Sequence, residues 1–213
     1  MTQQIEKFTI LDFDGTVLDS TMAWSNVYQS YCKRHYLTIS EQIRLNQSNS
    51  PFTEWIETIK ATHKITQPSK SLIVALNEIA KKVYNKILPK AGFVDFVQVR
   101  HTSKSKTIIV SREEPDLIKS YLNNYRISEV SEVLQDSNQK RTRANFYTDI
   151  SKMYGCKTKN ITLIDDSLSH CTIAKQAGVF VIGINDNHSV SRNNQMRLIC
   201  ELYVNDFTPL LKL

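Results

Sequence analysis

Lys7-Phe8-Thr9-Ile10-Leu11-Asp12-Phe13-Asp14-Gly15-Thr16-Val17-Leu18-Asp19 decides how the rest of the chain is read. Its first half is apolar and rich in strand formers, and it breaks at Asp14-Gly15. This predicts a buried strand over Lys7–Asp12 that runs into a loop. An Asp-Gly turn is common at strand ends and accounts for Asp14-Gly15. It does not account for Asp12, a carboxylate within an apolar strand, where an unpaired charge is costly. Acids two residues apart leave a strand on the same side, and Gly15 lets the backbone turn beside a ligand where a Cβ would obstruct. In open parallel sheets, ligands bind outside the carboxyl ends of the strands. A site is therefore expected at the end of this strand, with Asp12 and Asp14 in it.

Working outward, Thr107–Ser111, Glu129–Leu134, Ile161–Asp165 and Val179–Ile184 read as further strands. Helical patterns over Phe93–Arg100, Pro115–Asn123, Ala144–Tyr154 and Leu168–Gln176 separate them, with Gly178 where a helix C-cap glycine belongs. Strands alternating with helices predict an α/β fold with a parallel sheet covered on both faces. Between the first two strands the pattern changes. Trp24, Val27, Tyr28 and Tyr31 recur at helical spacing. So do Phe52, Trp55, Ile56 and Ile59, behind Ser50 as N-cap and Pro51 at the first helical position. Leu72, Leu76, Ile79, Val83 and Ile87 form a third stripe, and Glu41–Leu45 a short fourth helix. The expected organisation is an α/β core of residues 1–19 and 89–213, with residues 20–88 as an inserted all-helical block.

A second acidic strand end is Ile161-Thr-Leu-Ile-Asp165-Asp166-Ser167. By itself this pair could be the N-cap of the next helix. Two like charges about 4 Å apart repel by roughly 4 kcal/mol at an effective dielectric of 20. Four carboxylates on one rim (Asp12, Asp14, Asp165 and Asp166) therefore call for a cation, and all-oxygen ligation suits Mg²⁺. Ser111 closes its strand, where its hydroxyl can donate to a phosphate oxygen or merely cap the loop. Lys140 precedes a helix and can offset charge on a transferring phosphoryl group, with Arg141 and Arg143 competing for that role.

In this order along the chain, the pieces resemble the haloacid-dehalogenase-like hydrolase superfamily. Its first motif, D-x-D-G-T, is matched by Asp12-Phe13-Asp14-Gly15-Thr16, and its Ser or Thr at a strand end by Ser111. Its Lys with Phe six residues later is matched by Lys140 and Phe146, and its acidic pair by Asp165-Asp166. The chain departs at Arg141-Thr142-Arg143, where relatives often carry prolines. The closing Leu202–Leu211 looks like the family's terminal strand and helix. The resemblance implies a Rossmann-like core with a small helical cap that excludes water and reads the substrate. It implies a Mg²⁺-dependent phosphomonoester hydrolase acting through an aspartyl-phosphate, on a small phosphorylated metabolite. Asp12 would be the nucleophile, and Asp14 the acid and base. Ser111 and Lys140 would hold the phosphoryl oxygens. Mg²⁺ would be held by Asp12, the Asp14 carbonyl, Asp165 and Asp166. A phosphomutase of the same family and a non-catalytic binding module on the same scaffold are the alternatives. Asp14 favours a phosphoester over a dehalogenation or phosphonate substrate.

Composition narrows the field further. With 41% hydrophobic and 23% charged residues in 213, a disordered chain is excluded. No apolar run approaches the ~18 residues a membrane span needs. Met1–Lys7 holds no signal-peptide stretch, and Cys32, Cys156, Cys171 and Cys200 form no C-x-x-C pair. A reducing cytoplasm is therefore the expected compartment. The net charge of +6 comes without a long basic run or interleaved aromatics, so it predicts a lysine-rich surface and no nucleic-acid partner.

Overall fold

The structure, a computed structural model, describes residues 8–46, 51–137, 140–186 and 190–212. Phe8–Leu11 forms β1, and all four of its side chains are buried. Successive strand residues face opposite ways, so full burial means that both faces of β1 are covered. The same holds for β4 (Ile161–Asp165) and nearly so for β2 (Lys106–Ser111) and β5 (Phe180–Ile184). The edges are β3 (Glu132–Gln135) and β6 (Leu202–Val204). β3 leaves Glu132 and Gln135 exposed, which suits an edge that must not pair further.

All neighbouring strands run parallel, in the order β3-β2-β1-β4-β5-β6. The chain builds outward from β1 through β2 to β3, then crosses to the other side of β1 to begin β4. This reversal opens a crevice outside the carboxyl ends of β1 and β4, where open parallel sheets bind ligands. One face of the sheet packs Ile10, Ile108, Val110 and Leu163 against Tyr147 and Ile150 of α7 (Phe146–Met153) and Cys171 and Ala174 of α8 (Leu168–Gln176). The helices that precede these two in the chain are α1 (Ala23–Arg34), α2 (Glu41–Asn46), α3 (Phe52–His63), α4 (Ser69–Tyr84), α5 (Phe93–Thr102) and α6 (Pro115–Asn124).

The chain divides into two compact units, Met1–Asp19 with Leu88–Leu213, and Ser20–Ile87. Leu88 groups with the α/β unit. The second unit holds α1 to α4 around an aromatic cluster. Trp24 stands edge-on to Trp55 at 6.0 Å and to Phe52 at 5.0 Å, and Tyr28 meets Trp55 at 6.2 Å. The Trp55 indole N–H donates to the Ile43 carbonyl at 3.0 Å, so the ring brings its own polar partner into the core.

Several expectations shift. Pro51 is the N-cap of α3, so the helix begins one residue later, at Phe52. Ser50 and Lys7 lie outside the described residues. β3 starts at Glu132, three residues after the expected start. α9 (Val190–Ile199) has no counterpart in the sequence reading, because Met196 is its one buried anchor among its described side chains. The closing helix is a 3-10 turn, Thr208–Lys212. Gly178 does take the left-handed conformation just past α8, with φ +79°. No described helix is long and apolar enough to cross a membrane.

Candidate active site

Asp12 follows β1 directly, and its N–H still donates to the Ile164 carbonyl of β4 at 3.0 Å. The ladder therefore fixes where its side chain leaves the sheet. The chain then coils once, with the Thr16 and Val17 N–H groups both donating to the Phe13 carbonyl. Gly15 makes the coil possible, with φ +76°, and a Cβ there would lie 2.5 Å from an Asp166 carboxylate oxygen. Thr16 closes the contact by donating its hydroxyl to Asp166 at 3.1 Å.

Asp165 is the last residue of β4 and is fully buried. It accepts the Ser167 N–H at 2.8 Å, the Arg141 Nη1 at 3.0 Å and the His170 ring Nδ1 at 3.1 Å. Asp12, Asp165 and Asp166 each present a ligand oxygen within 4.8 Å of the others. The Asp14 side chain is not in that group, although its charge acts on Asp12.

The cation among these acids is Arg141, in the 3-10 turn Lys140–Thr142. Its side chain is only 2% exposed. Nη1 reaches Asp12 Oδ1 at 2.7 Å and Asp165 Oδ2 at 3.0 Å, and Nε reaches Asp136 Oδ2 at 3.0 Å. One planar fork thus ties together carboxylates at the ends of β1, β3 and β4. Lys140, the expected phosphate ligand, is exposed, and its neighbour holds the buried position. Ser111 is buried at the end of β2, and its hydroxyl accepts the Glu113 N–H at 3.1 Å. Asp136, His170 and Lys90 had no motif to mark them. They become visible only through their partners in space.

Electrostatics separate the three clustered acids. Burial pushes the Asp12 carboxyl from 3.8 up to about 6, with Arg141 opposing and Asp165 and Asp14 adding to the rise. Burial would also raise Asp165, but His170, Arg141 and the Ser167 N–H outweigh it and hold the group below its ordinary value. Asp166 is driven well above, first by burial and then by the charges of Asp12, Asp165 and Asp186. Ionisation of Asp12 and Asp166 is thus opposed by burial and by neighbouring carboxylates, an opposition that a bound cation would relieve. The cluster's donors are all hard oxygens. Both properties fit Mg²⁺.

The haloacid dehalogenase-like hydrolase family matches residues 9–184 of the chain. No curated protein matches it in sequence. Among solved structures, a HAD hydrolase of family IA, variant 3, from Entamoeba histolytica is 17% identical, with 94% of this chain and 93% of that one covered and a TM-score of 0.72. A proposed β-phosphoglucomutase from Thermotoga maritima is 13% identical, with 96% of each chain covered and a TM-score of 0.76. CbbY from Rhodobacter sphaeroides, crystallised with phosphate, is 13% identical, with 96% of each chain covered and a TM-score of 0.72. A variant of that protein is seen with xylulose-(1,5)-bisphosphate. At these identities the likeness establishes the fold.

Proposed function

The chain belongs to the haloacid dehalogenase-like hydrolase family, and from that premise we propose that it hydrolyses phosphomonoesters of small metabolites through an aspartyl-phosphate on Asp12. The observation that carries this is the buried Arg141 fork on Asp12, beside two further carboxylates at the β1–β4 crevice. Arg141 occupies one oxygen of Asp12, which orients the carboxylate and leaves the other for attack. With a carboxyl at about 6, Asp12 is mostly ionised at pH 7 and remains a better nucleophile than an ordinary carboxylate.

In the first step an Asp12 oxygen forms a bond to phosphorus as the bond to the leaving oxygen breaks, and Asp14 gives that oxygen its proton. In the second step Asp14, now a carboxylate, takes a proton from water. The hydroxide equivalent attacks phosphorus, inorganic phosphate leaves, and Asp12 returns as a carboxylate. Arg141, in the role first given to Lys140, and the Ser111 hydroxyl hold the phosphoryl oxygens. Mg²⁺ would be held by Asp12, Asp165, Asp166 and the Asp14 main-chain carbonyl. When bound, it neutralises charge on the carboxylates and phosphoryl oxygens. The four free cysteines support a reducing cytoplasm as the compartment.

The test is hydrolysis of an aryl phosphate. Turnover should need Mg²⁺, stop with a chelator, and leave a trapped phosphoryl group on Asp12 by mass spectrometry. A phosphoryl group on serine or histidine, or full activity in excess chelator, would sink the proposal.

A further inference from the structure

The chain re-enters the α/β unit at Leu88, and the third residue of that return is Lys90. Its backbone N–H donates to the Val17 carbonyl at 2.8 Å, next to a bridge between Leu18 and Pro89. This pins the return segment alongside the loop that follows β1. Its half-buried ammonium donates to two main-chain carbonyls, those of Gly15 and Asn185.

Those two carbonyls belong to loops after β1 and β5. In the sheet, β4 lies between these strands. A group that bonds both loops must therefore cross the end of β4, where Asp165 and Asp166 sit. Asp166 is the leading charge acting on the ammonium, with Asp19, Asp186 and Asp206 adding to it. Gly15, the residue Lys90 holds, is also the residue whose backbone lies against Asp166 and whose neighbours are Asp14 and Thr16. A long side chain thus spends two donors on backbone, in a place where a carboxylate partner would be more usual for an ammonium.

We propose that Lys90 is a positioning residue of the site. Its ammonium braces the Asp12–Leu18 coil against the loop after β5, and so sets the Asp14 carbonyl and carboxyl relative to Asp12. Its charge, opposed by burial and favoured by Asp166, also faces the acids at the end of β4. This rests on the proposed phosphoryl-transfer reaction. The position has no counterpart among the motifs that carry the resemblance.

The experiment compares wild type, Lys90→Met and Lys90→Arg in aryl phosphate hydrolysis at saturating Mg²⁺ and in amide hydrogen exchange without metal. Displacing an acid/base group by about 1 Å can cost about a hundredfold, so Lys90→Met should lose about that factor in kcat, with KM within about threefold. Its Gly15, Thr16 and Val17 amides should exchange about tenfold faster, while Ile108, Ile109 and Val110 of β2 stay protected. Lys90→Arg keeps the charge and two donors, and should recover most of both. Should Lys90→Met unfold the whole unit, Lys90→Arg decides alone: wild-type kcat and exchange uphold the brace, and a full loss of kcat with β2 still protected overturns it. A Lys90→Met enzyme with kcat within about threefold of wild type, or with unchanged exchange at Gly15–Val17, also overturns it. If wild type hydrolyses no phosphate ester, the phosphatase reading falls. The exchange result then judges the brace by itself, with local loss upholding it and unchanged protection ending it.

Discussion

The two units of this chain bury polar groups in opposite ways. Among the described residues, every buried Asp and Arg lies in the α/β unit: Asp12, Arg100, Asp136, Arg141, Asp165 and Asp186. Four of these six converge where the strands end, joined by one guanidinium. Among the described residues of the helical unit, the one buried side chain of the polar class is Ser25, and the core is aromatic. Two of the polar contacts in this core are neutral: the Trp55 indole on the Ile43 carbonyl, and the 2.8 Å hydrogen bond shared by the Tyr28 hydroxyl and His63 Nε2. Desolvating a charge costs several kcal/mol that a hydrophobic core does not incur. The helical unit builds its core from aromatic rings, so a buried charge network in the other unit is what the proposed chemistry, more than folding, calls for.

Removing the proposed nucleophile would test this contrast most severely. Asp12→Asn should lower aryl phosphate turnover by about 10⁴-fold, as loss of an essential member of a catalytic set does. It should not destabilise the metal-free protein. Folding raises the Asp12 carboxyl from 3.8 to about 6, so the ionised group opposes folding. That opposition is absent below pH 3.8 and complete above about pH 6. The stability gap between variant and wild type should therefore open across that window, reaching up to about 3 kcal/mol at pH 7. Urea melts in a chelator at several pH values measure it. A variant less stable than wild type at pH 7 would mean that Asp12 is held for structure.

Taking out the cation should do the reverse. Arg141→Met leaves Asp12, Asp136 and Asp165 buried without their shared partner, and should cost about 3–5 kcal/mol in the same melts. Arg141→Lys should recover only part, because a single ammonium cannot reproduce a fork that reaches three carboxylates. Unchanged stability in Arg141→Met would erase the distinction between the units.

The smallest effect is expected in the helical unit. Trp55→Phe keeps most of the ring and orphans the Ile43 carbonyl, which should cost about 1–3 kcal/mol. The loss should not vary between pH 4 and pH 7, because no charge is involved. A pH-dependent loss would show that hidden ionisation supports this core as well.

Much of the architecture was legible in the chain because its signals are local. The buried strands at Phe8–Leu11 and Ile161–Asp165 are short apolar runs that end in acids, and their neighbours show helical periodicity. Asp12, Asp165 and Asp166 stood out for the same reason, and the structure gathers their ligand oxygens within 4.8 Å of one another. α9 escaped notice because a single buried methionine makes no stripe. Asp136, His170 and Lys90 carry no pattern of their own. Each is defined by partners 5 to 95 residues away.

What the sequence by itself determined was the alternation of strands and helices, the helical insertion and the acids at two strand ends, all written in residues close together in the chain. Only the tertiary structure decided which cation those acids meet. Lys140 and Arg141 are adjacent and both cationic, and although the spacing to Phe146 favoured Lys140, a loop of unknown shape did not show which side chain turns inward. In a 3-10 turn of three residues per turn, neighbours point about 120° apart. If one faces solvent, the next turns inward. That rotation exposes Lys140 and carries the Arg141 fork into a space bounded by Asp12, Asp136 and Asp165. Those acids lie at the ends of three different strands, and only the packed sheet sets the distances between them.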